Sequence, residues 1–147
     1  MAARRAPPLF VDTSAWVALL HARDESHAVA ARIWPTVRAG HRRLVTTNLV
    51  LAEAHPLLAR RLGIAAGRQF LDRTAQHPHQ RTIWADQELT EAAVQRWLRK
   101  FPTATFSLTD VVSFEVMRRE GIKEAFAFDH HFRVAGFGLV TPPRTKP

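Results

Sequence analysis

The sequence predicts an α/β protein: a three-layer α/β/α sandwich with a central, mostly parallel sheet of about five strands. Short, continuous apolar runs alternate with longer segments in which apolar residues recur every three or four positions. Such runs indicate buried strands, and the longer segments indicate amphipathic helices. Two of the apolar runs end directly on an aspartate, at "PLFVD" (8–12) and "AFAFD" (125–129). Strands that alternate with helices favour right-handed crossovers and a parallel sheet covered on both faces.

Two helices are predicted after the first strand, which covers residues 8–12. Thr13 or Ser14 is the expected N-cap of the first helix, which carries "AWVALLHA". The second helix carries "SHAVAARIWPTVRAG" and is expected to end at Gly40, because glycine is common just past helix C-termini.

The second predicted strand is "RLVTT" (43–47), and it leads into a third helix. Asn48 is expected to begin this helix and Gly63 to end it. Pro56 lies inside the segment, and because proline removes a backbone hydrogen bond, it is expected to kink or divide the helix. A fourth helix is predicted at "IAAGRQFLDRTAQH" (64–77).

The remaining strands are predicted at "RTIWA" (81–85), "AFAF" (125–128) and "GLV" (138–140). Between the first two of these, an amphipathic helix is predicted from Gln87 to Phe101. A single domain is therefore expected over residues 1–141, and the proline-rich residues 142–147 are expected to form a flexible tail.

A further helix, "SLTDVVSFEVMRREG" (107–121), has the clearest limits in the chain. Ser107 and Asp110 have the spacing of a capping box, and Gly121 is placed to end the helix.

Composition excludes several classes of protein. The 147 residues include no cysteine, which excludes disulfides, thiolate metal sites and cysteine nucleophiles. No apolar run approaches the roughly 18 residues that a membrane span needs, and the basic N-terminus has only a short apolar stretch after it. We therefore expect a cytoplasmic protein without a membrane segment.

The chain is strongly basic, with 21 Lys and Arg against 13 Asp and Glu and a formal net charge of +8. This balance favours a polyanionic partner such as nucleic acid, and the guanidinium groups of its many arginines match phosphate oxygens. A genome-wide preference for arginine is the alternative explanation of the excess.

Four acids stand out by position: Asp12 and Asp129 at strand ends, Asp110 in the first turn of its helix, and Glu53 in the helix after "RLVTT". Ligands of parallel α/β sheets bind outside the carboxyl ends of the strands, so these acids are expected to converge. Clustered carboxylates repel one another unless a cation is present, and Mg²⁺ or Mn²⁺ prefers such oxygen ligands. Asp12 and Asp110 are predicted to make the main metal contacts, which Glu53 and Asp129 complete directly or through water.

Each acid also has a purely structural explanation. Asp12 is a candidate N-cap or Asx-turn residue, and Asp129 is a candidate turn residue. Asp110 completes the capping box with Ser107. Glu53 lies close to the apolar face of its helix, where an acid without a partner is unfavourable.

Four stretches carry these acids: "FVDTSAW", "TTNLVLAE", "SLTDVVSFEVMRREGI" and "AFAFDHHF". In order and spacing, from about Leu9 to Val140, they resemble the PIN-domain ribonucleases, particularly the VapC-like toxins of prokaryotic toxin–antitoxin pairs. The resemblance implies that Asp12, Glu53, Asp110 and Asp129 form an acidic quartet that holds Mg²⁺ or Mn²⁺. It further implies an endoribonuclease that hydrolyses single-stranded RNA to a 5′-phosphate and a 3′-hydroxyl.

The resemblance also implies partners and supporting residues. It suggests a homodimer and a small antitoxin that covers a basic groove or inserts an arginine into the site. Ser14, at a family position whose hydroxyl supports the site, is expected to support the acids without binding metal, as are Asn48 and Thr109. Candidate RNA-binding residues, chosen for their closeness to the motifs, are Arg42, Arg43, Arg118 and Arg119. His130 and His131 are expected to be surface or turn residues.

Two other interpretations compete with the nuclease. An Asp-His-His triplet is similar to that of the DHH phosphoesterases, but their other motifs and second domain are missing from this sequence. The more serious alternative is a catalytically silent PIN-like module that binds RNA or serves as a scaffold. Four acids at one sheet edge argue against it, because a silent module does not need them.

Overall fold

The structure, a computed structural model, describes residues 5–146 and contains a wholly parallel sheet with helices on both faces. The strands are β1 (Leu9–Val11), β2 (Leu44–Thr47), β3 (Gln80–Ile83), β4 (Glu124–Phe126) and β5 (Gly138–Leu139). They lie in the order β3-β2-β1-β4-β5. The predicted three-layer α/β/α sandwich is thereby confirmed.

The described helices are α1 (Thr13–Leu20), α2 (His27–Ala39), α3 (Asn48–Leu62), α4 (Ile64–Gln76), α5 (Gln87–Ala93), α6 (Leu108–Glu120) and α7 (His131–Val134). A wider, π-helical turn at Val94–Leu98 continues α5. Helix α1 packs on α2 and α3, and α3 packs on α4, whereas α6 packs on α5 and α7. The helices thus form two separate layers.

The strand order changes direction between β1 and β4. From β1 the chain moves outward to β2 and β3, and then it returns to the other side of β1 to form β4. Leu9 is level with both Leu44 and Glu124, and Val11 is level with Phe126. The residues after β1 and β4 therefore emerge side by side, at the switch point where parallel sheets form a crevice.

An aromatic cluster fixes the sheet against the α6 layer. Phe10, Phe114, Phe126 and Phe132 are fully buried. The rings of Phe114 and Phe132 meet edge to face with centroids 5.1 Å apart, and the centroids of Phe10 and Phe132 are 6.0 Å apart. Because Asp110 and Asp129 adjoin elements that this cluster holds, the core also fixes the site.

The N-caps of α1 and α3 each lie one residue before the helix. Asp12 caps α1 and accepts a hydrogen bond from the Ser14 N–H, so the structural explanation of Asp12 as an N-cap is confirmed, whereas the cap expected at Thr13 or Ser14 is wrong. Helix α3 begins at Asn48, as predicted, and Thr47 caps it by accepting a hydrogen bond from the Val50 N–H. In both cases the last polar residue in extended conformation is the cap, as N-cap geometry requires.

Pro56 does not divide its helix, because α3 runs without interruption from Asn48 to Leu62. The carbonyl that a residue 56 N–H would normally bond belongs to Ala52, which is exposed. An exposed carbonyl can bond to solvent, so the missing backbone bond is tolerated there. The predicted end of α3 at Gly63 is confirmed, and its φ of 101° suits glycine.

Other limits differ at the ends of elements. The helix predicted over Gln87 to Phe101 loses α-helical geometry at Val94 and ends at Leu98. The strand predicted at 81–85 begins one residue earlier and ends at Ile83. The helix α7 was not predicted, since four residues are too few for a visible period.

Residues 141–146 form neither helix nor strand, and Nη2 of Arg32 donates to the Pro143 carbonyl across 3.0 Å. The predicted domain start at residue 1 and the tail's last residue, 147, lie outside the described residues, and the domain boundary at 141 stays a prediction. Among residues 5–146, no helix combines the length and the apolar composition that crossing a membrane requires.

Candidate active site

An open cleft of about 640 Å³ lies at the carboxyl edge of the sheet, at the switch point between β1 and β4. Its walls come from the start of α1, the loop between α1 and α2, one side of α3, the start of α6 and the segment that leads into α7. All four predicted acids line it: Asp12, Glu53, Asp110 and Asp129. The structure therefore brings the predicted quartet to one cleft.

Asp12 is the most buried of the four acids, with 5% of the residue exposed. Burial raises the pKa of its carboxyl to about 6, hydrogen bonds from Ser14 oppose the rise, and the charge of Asp110 adds to it. Burial disfavours the ionised form because the carboxylate loses its hydration. A cation in the cleft would favour the ionised form, so the site suits a positive ligand.

Ser14 joins the two strand ends that form the base of the cleft. Its hydroxyl donates to Oδ2 of Asp12 across 2.8 Å and accepts a hydrogen bond from the Phe128 N–H across 2.9 Å. Asp12 follows β1, and Phe128 immediately precedes Asp129 after β4. One hydroxyl thus sets the position of one acid against the segment that carries another.

Asp110 completes the capping box of α6, as its structural explanation predicted. The Ser107 N–H donates to Oδ2 of Asp110, and the Asp110 N–H donates to Oγ of Ser107, both across 3.0 Å. Within residues 5–146, no hydrogen bond reaches Oδ1 of Asp110. Capping and metal binding are therefore compatible, because they can use different oxygens of one carboxylate.

His131 lies between two of the acids. Its Nδ1 is 2.9 Å from Oδ2 of Asp110 and 3.3 Å from Oδ2 of Asp129, and its N–H donates to Oδ1 of Asp129 across 2.9 Å. Its Nε2 is 3.3 Å from Oγ1 of Thr105. The expectation of a surface histidine is wrong for His131, whose side chain is 16% exposed, but it holds for His130 at 79%.

Glu53 reaches the cleft from one wall. Glu53, Leu57 and Arg61 all line the cleft, and their spacing of four places them on one side of α3. Glu53 is exposed, and within residues 5–146 its carboxylate forms no hydrogen bond or salt bridge. Glu53 therefore faces the cleft, and among the described residues its carboxylate contacts none of the other three acids.

Of the three predicted supporting residues, only Ser14 touches an acid. Oδ1 of Asn48 accepts from the Ala85 N–H across 2.7 Å and so ties the start of α3 to the segment after β3. The Thr109 carbonyl accepts from Oγ of Ser113 within α6. Neither Asn48 nor Thr109 lines the cleft.

The four candidate RNA-binding arginines also lie outside the cleft. Arg42 donates to Glu124 across 2.9 Å, and both residues adjoin the amino ends of strands. Arg118 and Arg119, in the last turn of α6, pair with Glu115 across 2.8 Å and 3.4 Å. Arg43 is exposed and immediately precedes β2. A role of these residues in RNA binding stays a prediction.

The donor set fits a divalent cation. Six carboxylates line the cleft, from Asp12, Asp24, Glu25, Glu53, Asp110 and Asp129, and Arg61 is the one Lys or Arg among the described lining residues. Ligand atoms of Asp129, His130 and His131 also lie within 4.8 Å of one another. Hard divalent cations take such oxygen ligands, and so many acids in one cleft are unfavourable without positive charge.

Comparison with known proteins agrees with this geometry. The PIN domain family model matches residues 9–138. The chain is 38% identical over 141 residues to the 23S rRNA-specific endonuclease VapC20 of Mycobacterium tuberculosis, from strain CDC 1551 / Oshkosh and from strain ATCC 25618 / H37Rv. That match covers 91% of this chain and 98% of the relative.

A solved structure matches as well. The crystal structure of M. tuberculosis VapC20, described as a sarcin-ricin loop cleaving toxin, superposes with a TM-score of 0.82 at 36% identity. The match covers 91% of this chain and 99% of that one. The likeness therefore extends over nearly the whole length of both chains.

Proposed function

The chain belongs to the PIN-domain family of VapC-type endoribonucleases, and we propose that it cleaves RNA with Mg²⁺ or Mn²⁺ held by the acidic cleft. The observation that carries this proposal is the convergence of Asp12, Asp110 and Asp129 at the switch point, with Glu53 facing them from α3. Asp12 and Asp110 would make the main metal contacts, and Glu53 and Asp129 would complete them directly or through water.

The bound ion would lower the pKa of a water nucleophile and neutralise charge on the leaving oxygen, which is how divalent metals assist phosphodiester hydrolysis. The protein's own residues hold the acids in place for it. Ser14 fixes Asp12 against the segment after β4, and Ser107 fixes one oxygen of Asp110. The expected products are a 5′-phosphate and a 3′-hydroxyl.

The substrate that the relatives suggest is ribosomal. VapC20 is specific for 23S rRNA, and its structure is described as that of a toxin that cleaves the sarcin-ricin loop. Identity of 38% over nearly the full length supports the same target for this chain, cut within a single-stranded loop whose bases are accessible. Further expectations are a small antitoxin partner, a homodimer and a cytoplasmic location.

The test is cleavage of a labelled 23S rRNA fragment containing the sarcin-ricin loop, with Mg²⁺, with Mn²⁺ and with chelator. Asp110→Asn should abolish cutting yet leave the helix capped, because the amide oxygen still accepts the Ser107 N–H. Asp86→Asn is the control: Asp86 is the N-cap of α5 and its carboxylate also accepts a backbone hydrogen bond at a helix start, from the Leu89 N–H across 2.8 Å, but it does not line the cleft.

Metal-dependent cutting that is lost in Asp110→Asn and kept in Asp86→Asn would support the nuclease. A folded protein that binds RNA but cuts it under neither metal would support the alternative, a silent PIN-like module. In that case the acids would keep only their roles as helix caps and turn residues.

A further inference from the structure

The acidic cleft does not account for the chain's net charge of +8. Its described lining carries six carboxylates and one arginine, so an RNA strand there meets repulsion until metal binds. Affinity for RNA depends mainly on cations that contact phosphates. The residues that supply this affinity must therefore lie elsewhere on the surface.

A second cavity, of about 430 Å³, lies at the opposite, amino edge of the sheet. It is formed where β2 and β3 begin, beside the end of α6. Its charged and titratable lining residues are Arg5, His41, Arg43, His79, Arg81 and Glu120. The cavity thus has three arginines, two histidines and one acid, the reverse of the balance in the acidic cleft.

The arginines of this cavity are less neutralised than those around it. Arg42 is paired with Glu124, and Arg119 with Glu88 and Glu115. By contrast, within residues 5–146 no carboxylate pairs with Arg5 or Arg43. Arg81 pairs with Glu120 across 3.1 Å, but its side chain is 66% exposed, where such a pair is weak.

We propose that this basic cavity binds the sugar–phosphate backbone of the RNA substrate, at nucleotides outside those that enter the acidic cleft. The inference rests on the proposed function, since it names a second contact for the same substrate. Arg43 and Arg81 contact phosphates in this proposal. The cavity size lies within the range of about 300–1,000 Å³ that is common for ligand sites.

The distance between the acidic cleft and the basic cavity means that long and short RNA substrates should behave differently. The four residues of β2 separate them by about 13 Å through the sheet, at ~3.3 Å per residue, and the path around the surface is longer. A short oligonucleotide that fills the acidic cleft cannot reach the cavity, whereas a folded rRNA fragment can. The cavity therefore contributes to binding of long RNA and not to cleavage of a short strand.

The experiment measures binding of the 23S rRNA fragment to the full chain in chelator, over a series of KCl concentrations. We compare wild type, Arg43→Gln, Arg43→Gln/Arg81→Gln and the control Arg68→Gln, an exposed arginine on α4 outside the cavity. Each cavity arginine removed should weaken binding several-fold and reduce the salt slope by about 0.7–0.9. Thermal unfolding checks that each variant is folded.

A second readout separates this inference from the proposed function. Arg43→Gln should lower kcat/KM on the long fragment several-fold more than it lowers kcat/KM on a short loop oligonucleotide, because the short strand does not reach the cavity. If wild type cuts nothing but the salt slope still depends on Arg43, the nuclease proposal fails and the RNA-binding cavity stands.

Three results would overturn the cavity proposal. The first is a salt slope in the double variant equal to that of wild type. The second is an equal loss in Arg68→Gln, which would mean that diffuse surface charge is responsible. The third is unchanged RNA binding together with lost binding of an acidic protein segment, which would assign the cavity to a protein partner.

Discussion

The hydroxyl of Ser14 donates to Oδ2 of Asp12 across 2.8 Å, and this contact fixes the most buried acid of the cleft. Oγ of Ser14 also accepts a hydrogen bond from the Phe128 N–H. Substituting Ser14 by alanine removes both hydrogen bonds, so the Phe128 N–H loses its partner and the Asp12 carboxylate keeps only the bond from the backbone N–H of residue 14, across 3.4 Å. We expect the free energy of unfolding to fall by about 2 kcal/mol in chelator, measured by urea denaturation.

The Ser14→Ala variant should also bind Mn²⁺ less well at mildly acidic pH. Hydrogen bonds from Ser14 lower the pKa of Asp12, so their loss raises it and the proton competes better with metal. Ser14→Thr, which keeps a hydroxyl, should restore the affinity. Asn48→Ala is the matched control: it breaks a hydrogen bond outside the cleft and should leave Mn²⁺ affinity unchanged.

The buried Asp12 makes stability depend on pH in the absence of metal. Its pKa is raised from 3.8 to about 6 in the folded chain, so the folded state binds the proton more tightly than the unfolded state. The contribution of Asp12 to the free energy of unfolding is therefore greatest below about pH 4, and it is lost as the pH rises through about 6. At pH 7 to 8 the free energy of unfolding of Asp12→Asn should exceed that of wild type by about 2–3 kcal/mol.

Urea denaturation in chelator at several pH values checks this prediction. The difference between Asp12→Asn and wild type should shrink as pH falls below about 6 and vanish near pH 4. A constant difference over that range would show that the carboxylate is not responsible. Cleavage should be absent from the variant throughout, and persistent cutting would remove Asp12 from the proposed metal ligands.

His131 is expected to hold Asp110 and Asp129 at the separation that metal binding needs. His131→Ala should lower Mn²⁺ affinity several-fold and the free energy of unfolding by about 1–2 kcal/mol, since a charge-assisted hydrogen bond is lost. His131→Asn, whose amide can donate from nearly the same position as Nδ1, should recover most of both. Equal metal titrations of His131→Ala and wild type would contradict the role.

Substituting Glu53 should affect cleavage but not stability. It is exposed and forms no ion pair among residues 5–146, so Glu53→Gln should change the free energy of unfolding by less than about 0.5 kcal/mol. The cleavage rate of Glu53→Gln should nevertheless fall at least tenfold, because the carboxylate of Glu53 is proposed to complete the metal site. Glu91→Gln, an exposed helix acid outside the cleft, serves as the control for both measurements.

Glu115 is a buried acid with a different task. Its side chain is 1% exposed and pairs with Arg96, Arg118 and Arg119. Burial raises its pKa, but the hydrogen bond and charge of Arg118, with Arg96 and Arg119, outweigh this and lower the pKa overall. Its ionised form therefore stabilises the fold above about pH 4.5, and that contribution is lost as pH falls.

Replacing Glu115 by glutamine should destabilise the protein by about 3 kcal/mol, because Arg96 and Arg118 lose their carboxylate partner and Arg119 keeps only Glu88. The per-molecule cleavage rate of the folded fraction should be unchanged. Thermal unfolding and active-site-normalised cleavage measure the two effects. If Arg118→Gln lost RNA affinity without losing stability, this would support the predicted role of Arg118 in RNA binding.

Much of the fold was accessible from the sequence because its signals are local. The apolar runs, the helical periods and the capping box of Ser107 with Asp110 depend on residues a few positions apart. Local rules decided less where they compete: Asp12, Thr13 and Ser14 were each candidate caps of α1, and Asp12 is the cap, while Pro56 was expected to kink or divide α3, which is not divided.

The amino-acid sequence by itself determined the order of strands and helices, the acids at the strand ends and the excess of positive charge. Tertiary structure decided which side chains meet. Strand order brings Ser14 to Phe128, 114 positions apart, and places His131 against Asp110. It also pairs Arg42 and Arg119 with acids while leaving Arg43 unpaired in the described chain. These contacts join residues distant in sequence, so their geometry exists only after the sheet and its helices have packed.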